Sequence, residues 1–85
     1  MPAKSLVVER RAQKQLLKLQ PKIHKRIIDA LTSIQNNPLI GDKLHGELAG
    51  YYKLRIGDYR IVYKFDPKSK IVIVVKIEHR QGIYK

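Results

Sequence analysis

From residue 51 onward the chain alternates apolar and charged positions. Tyr52, Leu54 and Ile56 interleave with Lys53 and Arg55, and Tyr59, Ile61, Tyr63 and Phe65 interleave with Arg60, Val62 and Lys64. Successive side chains of a strand point to opposite faces of a sheet, so the pattern predicts strands over 51–56 and 59–65. Gly57-Asp58 between them is a two-residue hairpin turn, and the order Gly-Asp fits type II′ better than I′. A second turn over 66–70 leads to 71–77, a nearly unbroken Ile/Val run of the kind expected in a central strand.

The first half reads differently. Residues 4–9 predict a short strand with Leu6 and Val8 facing one way. Residues 10–20 predict a helix with Ala12, Leu16, Leu17 and Leu19 as its apolar positions. Pro21 stops that helix and opens the next from its first position. The second helix runs to about Asn36 with Ile23, Ile27, Ala30, Leu31 and Ile34 on one stripe, and Asn36-Asn37-Pro38 ends it. A loop with Gly41, Gly46 and Gly50 follows. The order β-α-α-β-β-β implies an α+β domain over residues 1–85, an antiparallel sheet with a two-helix hairpin packed on one face. The other face is left uncovered.

Parity assigns side chains to those faces. If the helices cover the side bearing Leu54, Ile61 and Ile73, then Lys53, Arg55, Arg60, Lys76 and Arg80 converge on the uncovered side. Lys76, Glu78 and Arg80 are then in phase with Val72 and Val74. Such convergence depends on strand register.

Charge sharpens this picture. The chain carries 18 Lys and Arg against 7 Asp and Glu, a formal charge of +11. Residues 51–85 hold nine of the cations and three carboxylates, +6 in that stretch. A cationic sheet face of this kind suits a polyphosphate, and the charge of the whole chain attracts nucleic acid, an acidic protein or, less readily, an anionic membrane surface. The 85 residues contain no cysteine, which excludes a disulfide framework, thiolate metal ligands and a Cys nucleophile, and fits a reducing compartment. No apolar run reaches the ~18 residues of a membrane span and no signal-peptide core opens the chain, so a cytoplasmic protein is expected. No His or carboxylate pair has ligand spacing and no Gly-rich loop precedes a helix, so neither a metal nor a cofactor is expected.

The run Tyr52-Lys53-Leu54-Arg55-Ile56-Gly57-Asp58-Tyr59-Arg60-Ile61-Val62-Tyr63, followed by His79-Arg80-Gln81-Gly82-Ile83-Tyr84, resembles the RelE branch of the RelE/ParE toxins. The likeness spans the whole chain in length and element order. It implies the toxin half of a toxin–antitoxin pair, a ribosome-dependent mRNA endonuclease that cleaves codons in the A site and so inhibits translation. It also implies a small antitoxin, acidic or partly disordered, that wraps a monomeric toxin into a hetero-oligomer. Carried over position by position, the catalytic set is Lys53, Arg55, Arg60, Arg80 and Tyr84, with Lys64, Lys76 and His79 as further RNA-binding residues. The ParE branch, which poisons DNA gyrase, shares the fold but generally not this basic set.

Metal-free RNA cleavage needs a ribose 2′-OH deprotonated, charge on the phosphorane stabilised and the leaving 5′-oxygen protonated. Arg55, Arg60 and Arg80 suit the second task, since a guanidinium grips two non-bridging oxygens at once. Lys53 suits either a point charge on the phosphate or, if crowded by other cations, an amine that loses its proton, and Tyr84 suits a stacking or proton-exchanging group. His79 has the intrinsic pKa of a general acid or base, but regular parity turns it away from Lys76 and Arg80. Glu78 reads as an ion-pair partner of Arg60 or Lys76 rather than a base. Tyr52, Tyr59 and Tyr63 read as packing residues, His24 and His45 as surface residues, and Arg10, Arg11, Lys14 and Lys18 as a solvated helix face. Two alternatives stay open on sequence: a ParE-like gyrase inhibitor, and a catalytically silent RNA- or antitoxin-binding module.

Overall fold

The computed structural model describes residues 2–79. In chain order these form β1 (Ser5–Val8), α1 (Arg10–Leu17), α2 (Pro21–Asn36), β2 (Asp42–Lys43), a 3-10 turn at Gly46–Leu48, β3 (Tyr51–Ile56), β4 (Tyr59–Asp66) and β5 (Ile71–His79). One sheet contains all five strands in the order β1-β5-β4-β3-β2. The apolar run of β5 accordingly lies inside the sheet. The expected α+β architecture is present, with two differences: β1 pairs with β5 in parallel, so the sheet is mixed rather than wholly antiparallel, and the short strand β2 lies in the stretch read as a loop. Alternation marks which side a residue faces and is blind to strand direction.

The helices are held by packing rather than by caps. Neither Glu9 nor Gln20, the N-cap residues, makes a side-chain capping bond. Instead Ala12 of α1 and Ile27, Ala30, Leu31 and Ile34 of α2 are buried against Ile61, Tyr63, Val72, Val74 and Ile77. Fully burying one large aliphatic side chain stabilises by about 1.5–3 kcal/mol, more than a typical cap. Helix α1 ends at Leu17, three residues before the predicted stop. Gln20 must be extended (ψ 153°) because it precedes Pro21. The chain prepares for this with tightened turns, Lys18 N–H to the Gln15 carbonyl and Leu19 N–H to the Leu16 carbonyl, both at 3.2 Å.

The hairpin turn follows the expectation. Gly57 has φ 59° while Asp58 is not in the positive-φ region, which fits II′ and rules out I′. At the other end of β4, the Asp66 carboxylate accepts from the Lys68 N–H at 3.0 Å and the Ser69 hydroxyl at 2.9 Å. The Ser69 bond first, then the Lys68 one, holds that exposed carboxyl below its ordinary pKa.

One irregularity decides which way β5 presents its charges. Val62 pairs with Lys76 but the next residue, Tyr63, pairs with Val74, so Val75 is an extra residue in β5. A bulge of this kind reverses side-chain parity beyond it. Val72 and Val74 therefore lie buried on the helix side before the bulge, and Ile77 lies there after it. This corrects two readings from regular alternation. Val72 and Val74 do not share a face with Lys76 and Glu78, and Ile73 is not under the helices but beside Lys64 on the opposite face.

Candidate nucleic-acid interface

The uncovered face is a grid of three cross-strand rows. The first is Arg55–Arg60–Glu78, the second Lys53–Val62–Lys76 and the third Tyr51–Lys64–Ile73. Adjacent strands are about 4.8 Å apart and same-face residues along a strand about 6.8 Å. Arg55, Arg60, Lys53 and Lys76 therefore cluster within the reach of a few nucleotides. Val62, between the two lysines, is buried although it is not part of the core cluster.

Arg55 directly opposite Arg60 is an unfavourable arrangement. Like charges facing across two strands destabilise a sheet by roughly 0.2–1 kcal/mol. Here Arg60 is relieved by Glu78, whose Oε1 accepts from the guanidinium Nε at 3.0 Å. The other carboxylate oxygen reaches Lys76 Nζ at 3.3 Å. Glu78 thus pairs with both of the partners between which sequence left the choice. Arg55 stays exposed.

The remaining predicted residues distribute as follows. Lys64 is on the same face in the third row, with its Nζ 5.8 Å from the centroid of the Tyr51 ring. His79 is elsewhere: it pairs across the sheet with Tyr59, and their rings meet edge to face at 4.6 Å on the helix side. The expectation of His79 as an RNA contact therefore has no support from its position, because the regular alternation that follows the bulge leaves it out of phase with Lys76 and Glu78. Arg80 and Tyr84 lie outside the described residues. Tyr63 is a packing residue as expected, fully buried and stacked on Tyr52 at 5.3 Å.

Sequence reasoning missed Gln15. Strand β1 stops at Val8, opposite Val74, so the part of β5 bearing Lys76 and Glu78 has no strand on that side. The Ile77 N–H donates to Gln15 Oε1 of α1 at 2.8 Å. Replacing Gln15 with Leu should leave that amide unpaired and cost about 1–3 kcal/mol. Amide exchange of Ile77 should quicken in Gln15→Leu and stay slow in Gln15→Glu, which keeps an acceptor. Unchanged protection in the Leu variant would contradict this role for the bond.

Known proteins agree with this architecture. The family model described as "ParE toxin of type II toxin-antitoxin system, parDE" matches residues 6–84. Toxin RelG of Mycobacterium tuberculosis is 34% identical over 76 residues, which cover 87% of each chain. The chain belongs to the RelE/ParE toxin family. It is a RelE-like toxin of the type II toxin–antitoxin class. Among solved structures, the toxin–antitoxin complex RelBE2 from Mycobacterium tuberculosis contains a chain that superposes with a TM-score of 0.85 at 29% identity, covering 94% of this chain and all of that one (100%). The isolated E. coli RelE toxin gives a TM-score of 0.77 at 26% identity, covering 87% of this chain and 81% of that one. Among the described residues of this RelE-like toxin no helix is long and apolar enough to cross a membrane.

Proposed function

We propose that this toxin is a ribosome-dependent endoribonuclease that cleaves mRNA at A-site codons and thereby stops translation and growth. The observation that carries this reading is the Arg55–Arg60 pair, set with Lys53 and Lys76 on the sheet face the helices leave uncovered. A cluster of like charges that strains its own sheet has an evident use in binding a polyanion.

Cleavage proceeds by attack of a ribose 2′-oxygen on the adjacent phosphorus. The P–O5′ bond breaks, and the products are a 2′,3′-cyclic phosphate and a 5′-hydroxyl. Arg60 and Arg55 grip the non-bridging oxygens as charge grows on the phosphorane, and Lys53 adds a compact charge beside them. Lys76 and Lys64 extend the track for neighbouring phosphates. Arg80 and Tyr84, from the C-terminal run, complete the catalytic set. Among the described residues no three His, Asp or Glu side chains come together as a metal site.

The toxin acts in the cytoplasm, on mRNA held by the ribosome. Its antitoxin is a small protein with an acidic or initially disordered segment that folds over the cationic face. The solved RelBE2 complex is a precedent for such a pairing. The family model's ParE description raises gyrase inhibition as the second reading. Induced expression in cells separates the two. Amino-acid incorporation that falls before DNA synthesis does, with no DNA-damage response, supports the nuclease. The reverse order supports gyrase inhibition.

A further inference from the structure

Glu78 holds two cations of the uncovered face at once. Its Oε1 lies 3.0 Å from Arg60 Nε and its Oε2 lies 3.3 Å from Lys76 Nζ. The three side chains are 30%, 28% and 21% exposed for Arg60, Lys76 and Glu78, so the bridge is at the edge of solvent. One anion with an oxygen on each of two cations is also how a phosphodiester presents its non-bridging oxygens. In register, Glu78 stands directly across from Arg60, with Arg55 on the far side. Among the described residues no other carboxylate bridges two cations.

Resting on the reading of this face as the RNA site, we infer that the Glu78 carboxylate occupies the seat of a backbone phosphate in the toxin without RNA. Binding then exchanges one anion for another. The carboxylate swings out to water, Arg60 and Lys76 take the phosphate oxygens, and Glu78 sets the affinity of the face as an internal competitor. A partly exposed ion pair is weakly held, so such an exchange is accessible. The contrary role, in which Glu78 only orients Arg60, makes the opposite prediction. Removing its charge would then weaken binding.

The test is binding of a fluorescein-labelled, single-stranded DNA dodecamer, followed by anisotropy over a salt series. This probe has phosphates but no 2′-hydroxyl, so it is held without being cut and the result does not depend on nuclease activity. Glu78→Gln and Glu78→Ala should each tighten binding about three- to tenfold. Each should also steepen the log–log salt dependence, because salt weakens the internal ion pair that only the wild type must break before it binds. Adding Lys76→Ala to Glu78→Gln should remove the gain. Thermal unfolding of each variant establishes that it is folded. Unchanged or weaker binding by both folded Glu78 variants would overturn the inference. Wild-type binding that survives Arg60→Ala would place the oligonucleotide elsewhere and overturn the reading of the face with it.

Discussion

Alanine at Arg60 should lower the rate of mRNA cleavage by about 10²–10³, the usual loss when one charge-stabilising donor is taken from a transition state. Arg60 is central on the uncovered face, flanked by Arg55 on one strand and Glu78 on the other. Its guanidinium can hold two phosphoryl oxygens, and a Lys ammonium cannot reproduce that fork. Arg60→Lys should therefore recover RNA binding more fully than rate. Stability should change little, because the side chain belongs to a partly exposed ion pair and touches no part of the helix-side core. Single-turnover cleavage alongside thermal unfolding checks both halves. Full activity in a folded Arg60→Ala variant would remove Arg60 from the chemistry.

Phenylalanine at Tyr63 should have the largest effect on the fold. The fully buried hydroxyl donates to the Pro38 carbonyl at 2.7 Å and accepts from the Gly41 N–H at 3.0 Å. It thereby fastens the loop between α2 and β2 to the middle of the sheet. Phe keeps the ring and its stack on Tyr52 but strands two backbone groups at once. At roughly 1–3 kcal/mol per unsatisfied buried group, the loss should be about 2–6 kcal/mol. For a domain of this size that lowers Tm by at least about 8 °C. Gly41 fits the same latch: a Cβ there would come within 2.8 Å of the Tyr63 hydroxyl and 2.7 Å of the Lys53 carbonyl.

The latch also has a pH signature. Burial first pushes the Tyr63 pKa up, opposed by the Gly41 N–H and aided by Tyr52 and Asp42. A raised pKa means that the fold favours the neutral phenol. This contribution is complete below the ordinary tyrosine pKa of about 10 and is lost as pH rises through the higher folded value. Wild-type Tm should thus fall toward strong alkali with a component that Tyr63→Phe lacks. Matching alkaline profiles, or a Tm within a degree of wild type for the Phe variant at neutral pH, would contradict the latch.

Much of this architecture can be read from local chemistry. Helix α2 begins at Pro21 and ends at Asn36, as its apolar stripe and flanking residues indicate, and β3 spans Tyr51–Ile56 as alternation requires. The cationic cluster of Lys53, Arg55, Arg60 and Lys76 was legible for the same reason. The bulge was not. In 72–78 the even positions change from Val72 and Val74 to Lys76 and Glu78, while the odd positions Ile73, Val75 and Ile77 stay apolar. A regular strand with the odd positions inward explains that pattern as well as a bulged one does, and only packing under the helices separates them. Gln15 and Tyr63 were hidden by distance: their bonds join residues 62 and 22–25 positions apart, beyond any local pattern. The parallel pairing of β1 escaped because Leu6 and Val8 face the core whichever way the strand runs.

The most direct test is primer extension on an mRNA in a purified translation system, with the wild-type toxin, with and without ribosomes. Cuts confined to A-site codons, absent without ribosomes and lost with Arg60→Ala, are the predicted result. Intact mRNA and unimpeded translation, with DNA gyrase inhibited by the same protein, would contradict the nuclease reading and leave the cationic face as a binding surface alone.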